Sequence, residues 1–191
     1  MMINKKLHNH ILQFAKPPKE ELEKLNQAIQ LKTIKKKTFC LQKGQHCQHL
    51  YFVLKGCFRS YFINSKGTEK ILNFGIENWW VSDFDSLSNT RTSDLYIQAL
   101  EDSEVLALSK DSLDQLLNHS LELNRYFRIL MEKVRIADQR RMHYMFNLSG
   151  KELYHLFLTH YPDFMQRIPL YMLASYLGMT PEFLSKVRGQ K

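Results

Sequence analysis

The side chains best equipped for chemistry cluster in the first third of the chain. His46, Cys47 and His49 form a His-Cys-x-His group, with Cys40 and Cys57 nearby. Thiolates and imidazoles hold zinc or iron–sulfur clusters, but such centres need a closed donor set at regular spacing, and no Cys-x-x-Cys pair occurs. The competing reading packs these cysteines in or beside a β-rich core. No metal and no cofactor is expected. Asp83, Asp85 and Asp94 invite an acid–base reading, yet no partnered histidine, nucleophile motif or phosphate-cradling glycine loop accompanies them. An enzyme is therefore not the expected class. Trp79-Trp80 suits either a stacked planar ligand or a core position.

The elements that must position these residues follow from composition and periodicity. The chain has 191 residues, 44% of them hydrophobic, which suits one large domain or a medium domain with a small one. Three cysteines without a secretion signal point to reduced thiols and a cytoplasmic protein. The longest apolar runs, such as Tyr51 to Leu54, are too short to cross a bilayer, so no membrane partner is expected. Net charge is +8, and the stretch from Arg125 to Lys191 carries 11 Lys and Arg against 5 Asp and Glu. Such a basic end suits either a polyanionic partner or a solvated surface.

Helical spacing of Leu7, Ile11, Phe14, Leu22, Leu25 and Ile29 predicts helix over residues 7–31, broken at Pro17-Pro18. From Thr33 the texture is aromatic, β-branched and punctuated by Gly44, Gly56, Gly67 and Gly75, which predicts short strands of an antiparallel barrel or sandwich. One hairpin turns at Ser65-Lys66-Gly67, and a further turn falls near Glu101-Asp102-Ser103. The lysine-rich 32–37 segment reads as a solvated strand edge. After Ser109 the pattern is helical, with Ser109 or Asp111 as N-cap. A long helix follows from Leu121 to about Phe146. Its apolar residues Leu123, Phe127, Leu130, Val134 and Ala137 step by four and three, the spacing of a seam that pairs with a like helix or packs on its own domain. Ser149 and Glu152 form a capping box at the start of a second unit, and an extended Met-Gln-Arg-Ile piece leads to Pro169.

The segment from Leu170 meets the demands of a helix-turn-helix. Ala174 is small where two helices approach closely, Gly178 tolerates the left-handed turn, and Thr180 and Pro181 start the second helix. Leu173, Leu177, Met179, Leu184 and Val187 fall at the buried positions. An αα-hairpin in an ordinary helical domain meets the same demands. In a DNA-binding unit, Glu182, Ser185 and Lys186 would read base edges in the major groove, while Thr180 and Arg188 would hold phosphates.

A β-rich domain, a long pairing helix and then a helix-turn-helix resemble the Crp/Fnr superfamily of transcription regulators along most of the chain. KGQHCQHLYFVLKGCFRSYF is similar to its β-roll, ENWWVSDFDSL to its phosphate-cassette region, and LASYLGMTPEFLSKVR to its Bacteroidetes-type recognition unit. The resemblance implies an α+β fold: a cyclic-nucleotide-binding-like sensor domain over residues 1–146, including a dimerisation helix at about 121–146, and a helix-turn-helix domain over 147–191. It implies a homodimer on pseudo-palindromic double-stranded DNA, with an unidentified small molecule as a further partner. Placed on the cassette, Ser82-Asp83 stand at its Gly-Glu and Ser93-Asp94 at its Arg-Ser. The phosphate-binding arginine is thus missing, Arg91 is a candidate substitute, and Asp94 would set a negative charge against the phosphate. Cyclic AMP is not expected to bind. The wing that follows the recognition helix in the family is also expected to be missing. The alternative is a ligand-sensing or protein-interaction module with only weak, non-specific DNA binding.

Overall fold

The computed structural model describes residues 4–162 and 164–189. Two helices, α1 (Lys5–Leu12) and α2 (Lys19–Ala28), precede eight strands. These are β1 (Ile29–Ile34), β2 (Phe39–Leu41), β3 (His49–Lys55), β4 (Phe58–Ile63), β5 (Glu69–Gly75), β6 (Trp80–Val81), β7 (Tyr96–Ala99) and β8 (Ser103–Ser109), with α3 (Phe84–Asn89) between β6 and β7. Helices α4 (Lys110–His119), α5 (Leu121–Asn147), α6 (Gly150–His160), α7 (Phe164–Arg167), α8 (Leu170–Tyr176) and α9 (Pro181–Gly189) complete the chain. The fold is a β-roll, a long helix and a small all-α head, the α+β arrangement expected.

The strands form two antiparallel four-stranded sheets, β1-β8-β3-β6 and β2-β7-β4-β5. Alternation buries Phe58, Ile97, Ala99 and Leu41 from one sheet against Phe52, Leu106 and Leu108 from the other. The β4–β5 hairpin turns at Gly67 as expected. Strands β7 and β8 lie in opposite sheets, with the chain crossing between them at Glu101-Asp102. Residues 29–31, expected to be helical, open β1 instead. Ile29 pairs with Leu108 and Leu31 with Leu106, and this ladder outweighs the local helical spacing.

Helix α4 starts at Ser109, whose side chain accepts from the Ser112 N–H. Ser120 caps α5 in the same way, through the Leu123 N–H. Leu123 and Tyr126 are fully buried and Phe127 nearly so, all in the roll's own core. Burial of this kind is worth about 1.5–3 kcal/mol per large apolar side chain. Leu123 and Phe127 therefore face their own domain and cannot belong to a seam between chains, a correction to that part of the expected register. Leu130 packs against the same core. Further along the same face, Arg141 and Met145 turn toward the head. Val134 and Ala137 are exposed between these two zones. Ser149 and Glu152 make the expected capping box. The Met-Gln-Arg-Ile segment, expected to be extended, lies largely in the short helix α7.

Candidate nucleic-acid interface and sensor pocket

The head is built around Leu173, Ala174, Leu184 and Val187, buried where α8 meets α9. Ala174 has no exposed surface, so the two helices approach closely there. The turn between them runs through Gly178 at φ +73°, closed by the Met179 N–H donating to the Ala174 carbonyl at 2.8 Å. Thr180 Oγ1 accepts from the Phe183 N–H at 3.2 Å and so caps α9. With Leu184 and Val187 turned inward, Glu182, Ser185 and Lys186 are exposed together on the outer side of α9, and Thr180 and Arg188 are exposed at its two ends. These residues therefore present an acceptor, two hydroxyls and two cations to solvent, groups able to meet base edges and phosphates. The expected absence of a wing turns on residues 190 and 191, which lie outside the described residues.

The cassette region is organised around Asp83. Its Oδ1 accepts from the N–H groups of Asp85 and Ser86 at the start of α3, and its Oδ2 accepts from the Ser93 hydroxyl at 2.6 Å. Both side chains are buried. Ser82 points elsewhere, donating to the His49 carbonyl at 3.0 Å and lying 3.3 Å from the Cys47 thiol. Arg91 is exposed and paired with Asp85 at the surface. Asp94 does not face the pocket, contrary to expectation. The Ser93 backbone pairs with Gln45 and Gly44, and the next side chain turns outward, where Asp94 meets Lys43 at 3.4 Å.

Trp80 packs on the core and donates its indole N–H to the Tyr126 hydroxyl at 2.9 Å, leaving Trp79 exposed beside the head. Tyr126 also meets His10 Nδ1 at 2.8 Å, which ties α1 to α5. Cys40, Cys47, His46, His49 and Tyr51 line an open recess of about 430 Å³. Burial pushes the Cys40 thiol up to about 12, and the Cys57 thiol likewise, so neither is a ready nucleophile. Among the described residues no three His, Cys, Asp or Glu side chains converge to hold a metal. Among them, too, no helix is long and apolar enough to cross a membrane.

Sequence comparison matches residues 31–120 to the cyclic nucleotide-binding domain family. No curated protein matches the chain. Among solved structures, the chain is similar to FixK2 from Bradyrhizobium japonicum, at 19% identity over 85% of this chain and 83% of that one, with a TM-score of 0.72. It is also similar to CLP, a c-di-GMP-responsive global regulator from Xanthomonas campestris, at 15% identity over 91% of each chain and a TM-score of 0.73. A third similar structure is a Crp/Fnr-family protein from Eubacterium rectale, at 16% identity over 89% of this chain and 81% of that one, with a TM-score of 0.69. Those likenesses extend the shared fold beyond the roll, over the long helix and the head.

The sequence reading missed Arg167, Glu77 and Glu101, which join head to roll. The three are far apart in the chain and form no local motif.

Proposed function

We propose that the chain is a DNA-binding transcription regulator of the Crp/Fnr type, acting as a homodimer on a pseudo-palindromic site. The observation that carries this reading is the outer side of α9, where Glu182, Ser185 and Lys186 stand exposed while Leu184 and Val187 anchor the helix from behind. Two such helices, set by two-fold symmetry about one helical turn of DNA apart, would enter successive major grooves. Exposed Val134 and Ala137 in the middle of α5 offer the pairing surface.

The pocket of this regulator does not take cyclic AMP. Asp83 spends its carboxylate on the first amides of α3 and on Ser93, so the groups that would receive an incoming anion are already engaged. Arg91, the one arginine beside the cassette, is neutralised by Asp85. An unidentified small molecule remains the candidate effector, its binding biasing the spacing of the two heads.

Selection from a random duplex pool tests the function. Recovery of a two-fold symmetric motif supports it. Recovery of no motif, with binding that simply fades as salt rises, overturns it in favour of a sensing or protein-interaction module with non-specific DNA affinity.

A further inference from the structure

Three turns at one end of the roll are tied to the head by a single side chain. Arg167, the last residue of α7, donates to both carboxylate oxygens of Glu77 at 2.8 and 3.1 Å, and to both of Glu101 at 2.9 Å. Glu77 belongs to the β5–β6 turn and Glu101 to the β7–β8 turn. The β3–β4 turn joins them, since the Gly56 N–H donates to Glu77 Oε1 at 2.8 Å. Gly56 has φ +114°, and a Cβ there would overlap the Ser103 side chain, so only glycine lets these turns close. Burial alone would raise the Glu77 carboxyl, but the bonds from Arg167 and the backbone hold it below its ordinary value, and it keeps its charge.

The rest of the contact combines apolar packing with hydrogen bonds that Ser175 and Arg141 make to β5. Phe74 of β5 packs on Phe164 and Tyr176 of the head, with ring centroids 5.7 and 5.4 Å apart. Apolar contact supplies adhesion without direction. A guanidinium gripped by two carboxylates supplies direction, and a partly desolvated cluster of this kind specifies one arrangement more than it stabilises it. The cluster is also well placed to feel the pocket. From Glu77 the chain runs through Trp80, bonded to Tyr126 of α5, and reaches Asp83 within six residues.

We propose that Arg167, Glu77 and Glu101 form a releasable lock that fixes the orientation of the head on the roll, and that a change in the segment between Glu77 and Asp83 reaches the head by opening it. The consequence for DNA rests on the function proposed above, whereas the lock itself does not. Its opening has a DNA-independent signal at Ile71, whose N–H donates to Ser175 Oγ of the head at 3.0 Å.

Hydrogen exchange on the full chain without DNA tests the lock in the wild type, Arg167→Met and Glu101→Gln. The expected result is exchange at Ile71 at least ~10-fold faster in Arg167→Met and accelerated less in Glu101→Gln, with Leu106 and Leu108 in the roll core unchanged. Unchanged protection at Ile71 in both variants overturns the lock. If Arg167→Met also exposes Leu106 and Leu108, Glu101→Gln alone decides: acceleration confined to Ile71 supports the lock, and no acceleration overturns it. Binding to a duplex pool separates the two proposals. Faster exchange at Ile71 in a protein that binds no duplex leaves the lock standing and removes the DNA-binding reading. Altered duplex affinity with Ile71 unchanged does the reverse.

Discussion

The Ser93 hydroxyl donates to Asp83 Oδ2 at 2.6 Å in the interior of the cassette, ten residues along the chain from its partner. With the Asp85 and Ser86 N–H groups on Oδ1, this bond engages both carboxylate oxygens. Calorimetric titration with cyclic AMP should therefore give no binding in the micromolar range. Ser93→Ala, which removes one hydrogen bond to a buried charged group, should lower unfolding stability by about 1.5–3 kcal/mol in urea titrations.

Tyr126 accepts the Trp80 N–H and also meets His10 Nδ1, so Tyr126→Phe leaves a partly buried indole donor without its acceptor. A loss of about 1–3 kcal/mol is expected from denaturant unfolding. Trp80 fluorescence should shift as the ring loses its polar partner.

Stability should fall on mild acidification. Burial, with Lys133 as a lesser cause, holds the His10 imidazole below its ordinary value of 6.5, and the hydroxyl of Tyr126 faces its Nδ1. Phe14 and Phe52 pack on the same ring. The unfolded chain therefore takes up a proton near 6.5 while the folded chain does not, so stability is lost as pH drops below 6.5 toward the lower folded value. His49 is lowered chiefly by burial and contributes in the same direction. Unfolding curves measured between about pH 5 and 8 should show a shallower pH slope in His10→Gln.

Val134 is 43% exposed on the middle of α5, and in the proposed dimer a charge there would meet the partner and little of its own chain. Val134→Glu should convert the dimer to a monomer in sedimentation experiments at micromolar concentration without changing the melting of the roll. A dimer of unchanged strength would place the pairing surface elsewhere on the chain.

The two cations of α9 should separate by role. Lys186→Ala should relax sequence preference at one base position of each half-site, costing about 1–3 kcal/mol on the preferred sequence. Arg188→Ala should weaken binding to all sequences alike and reduce the slope of log affinity against log salt by about one. Binding measured on the selected duplex and on a scrambled one distinguishes these outcomes.

The head was legible in the sequence because each of its requirements is local. Ala174, Gly178, Thr180 and Pro181 each answer a demand set within a few residues, and Ser149 with Glu152 does the same for α6. Heptad spacing in α5 identified a stripe but not its partner, because period alone does not say which surface lies opposite. The roll claims Leu123 and Phe127, and the head claims Arg141. The outward turn of Asp94 depends on the backbone pairing of Ser93 with the 44–45 loop, about fifty residues away, which spacing within the cassette does not reveal. Arg167 was not legible as a functional residue at all, since its carboxylates lie 66 and 90 residues away.

Strand β5 is the last in its sheet, and its ladder with β4 shifts register at Ser60/Tyr61, so that Leu72 faces no residue. Arg141 takes the Leu72 carbonyl, and Ser175 takes the amide of Ile71 and the carbonyl of Glu69. Residues carried on the long helix and the head thus act as the missing neighbour of a β-strand. A roll separated from them would bare that border to any passing strand, and its fragments would tend to stick to one another. The same few side chains that hold the head against the roll thus also cover an open strand border, which ties the solubility of the roll to the presence of the head.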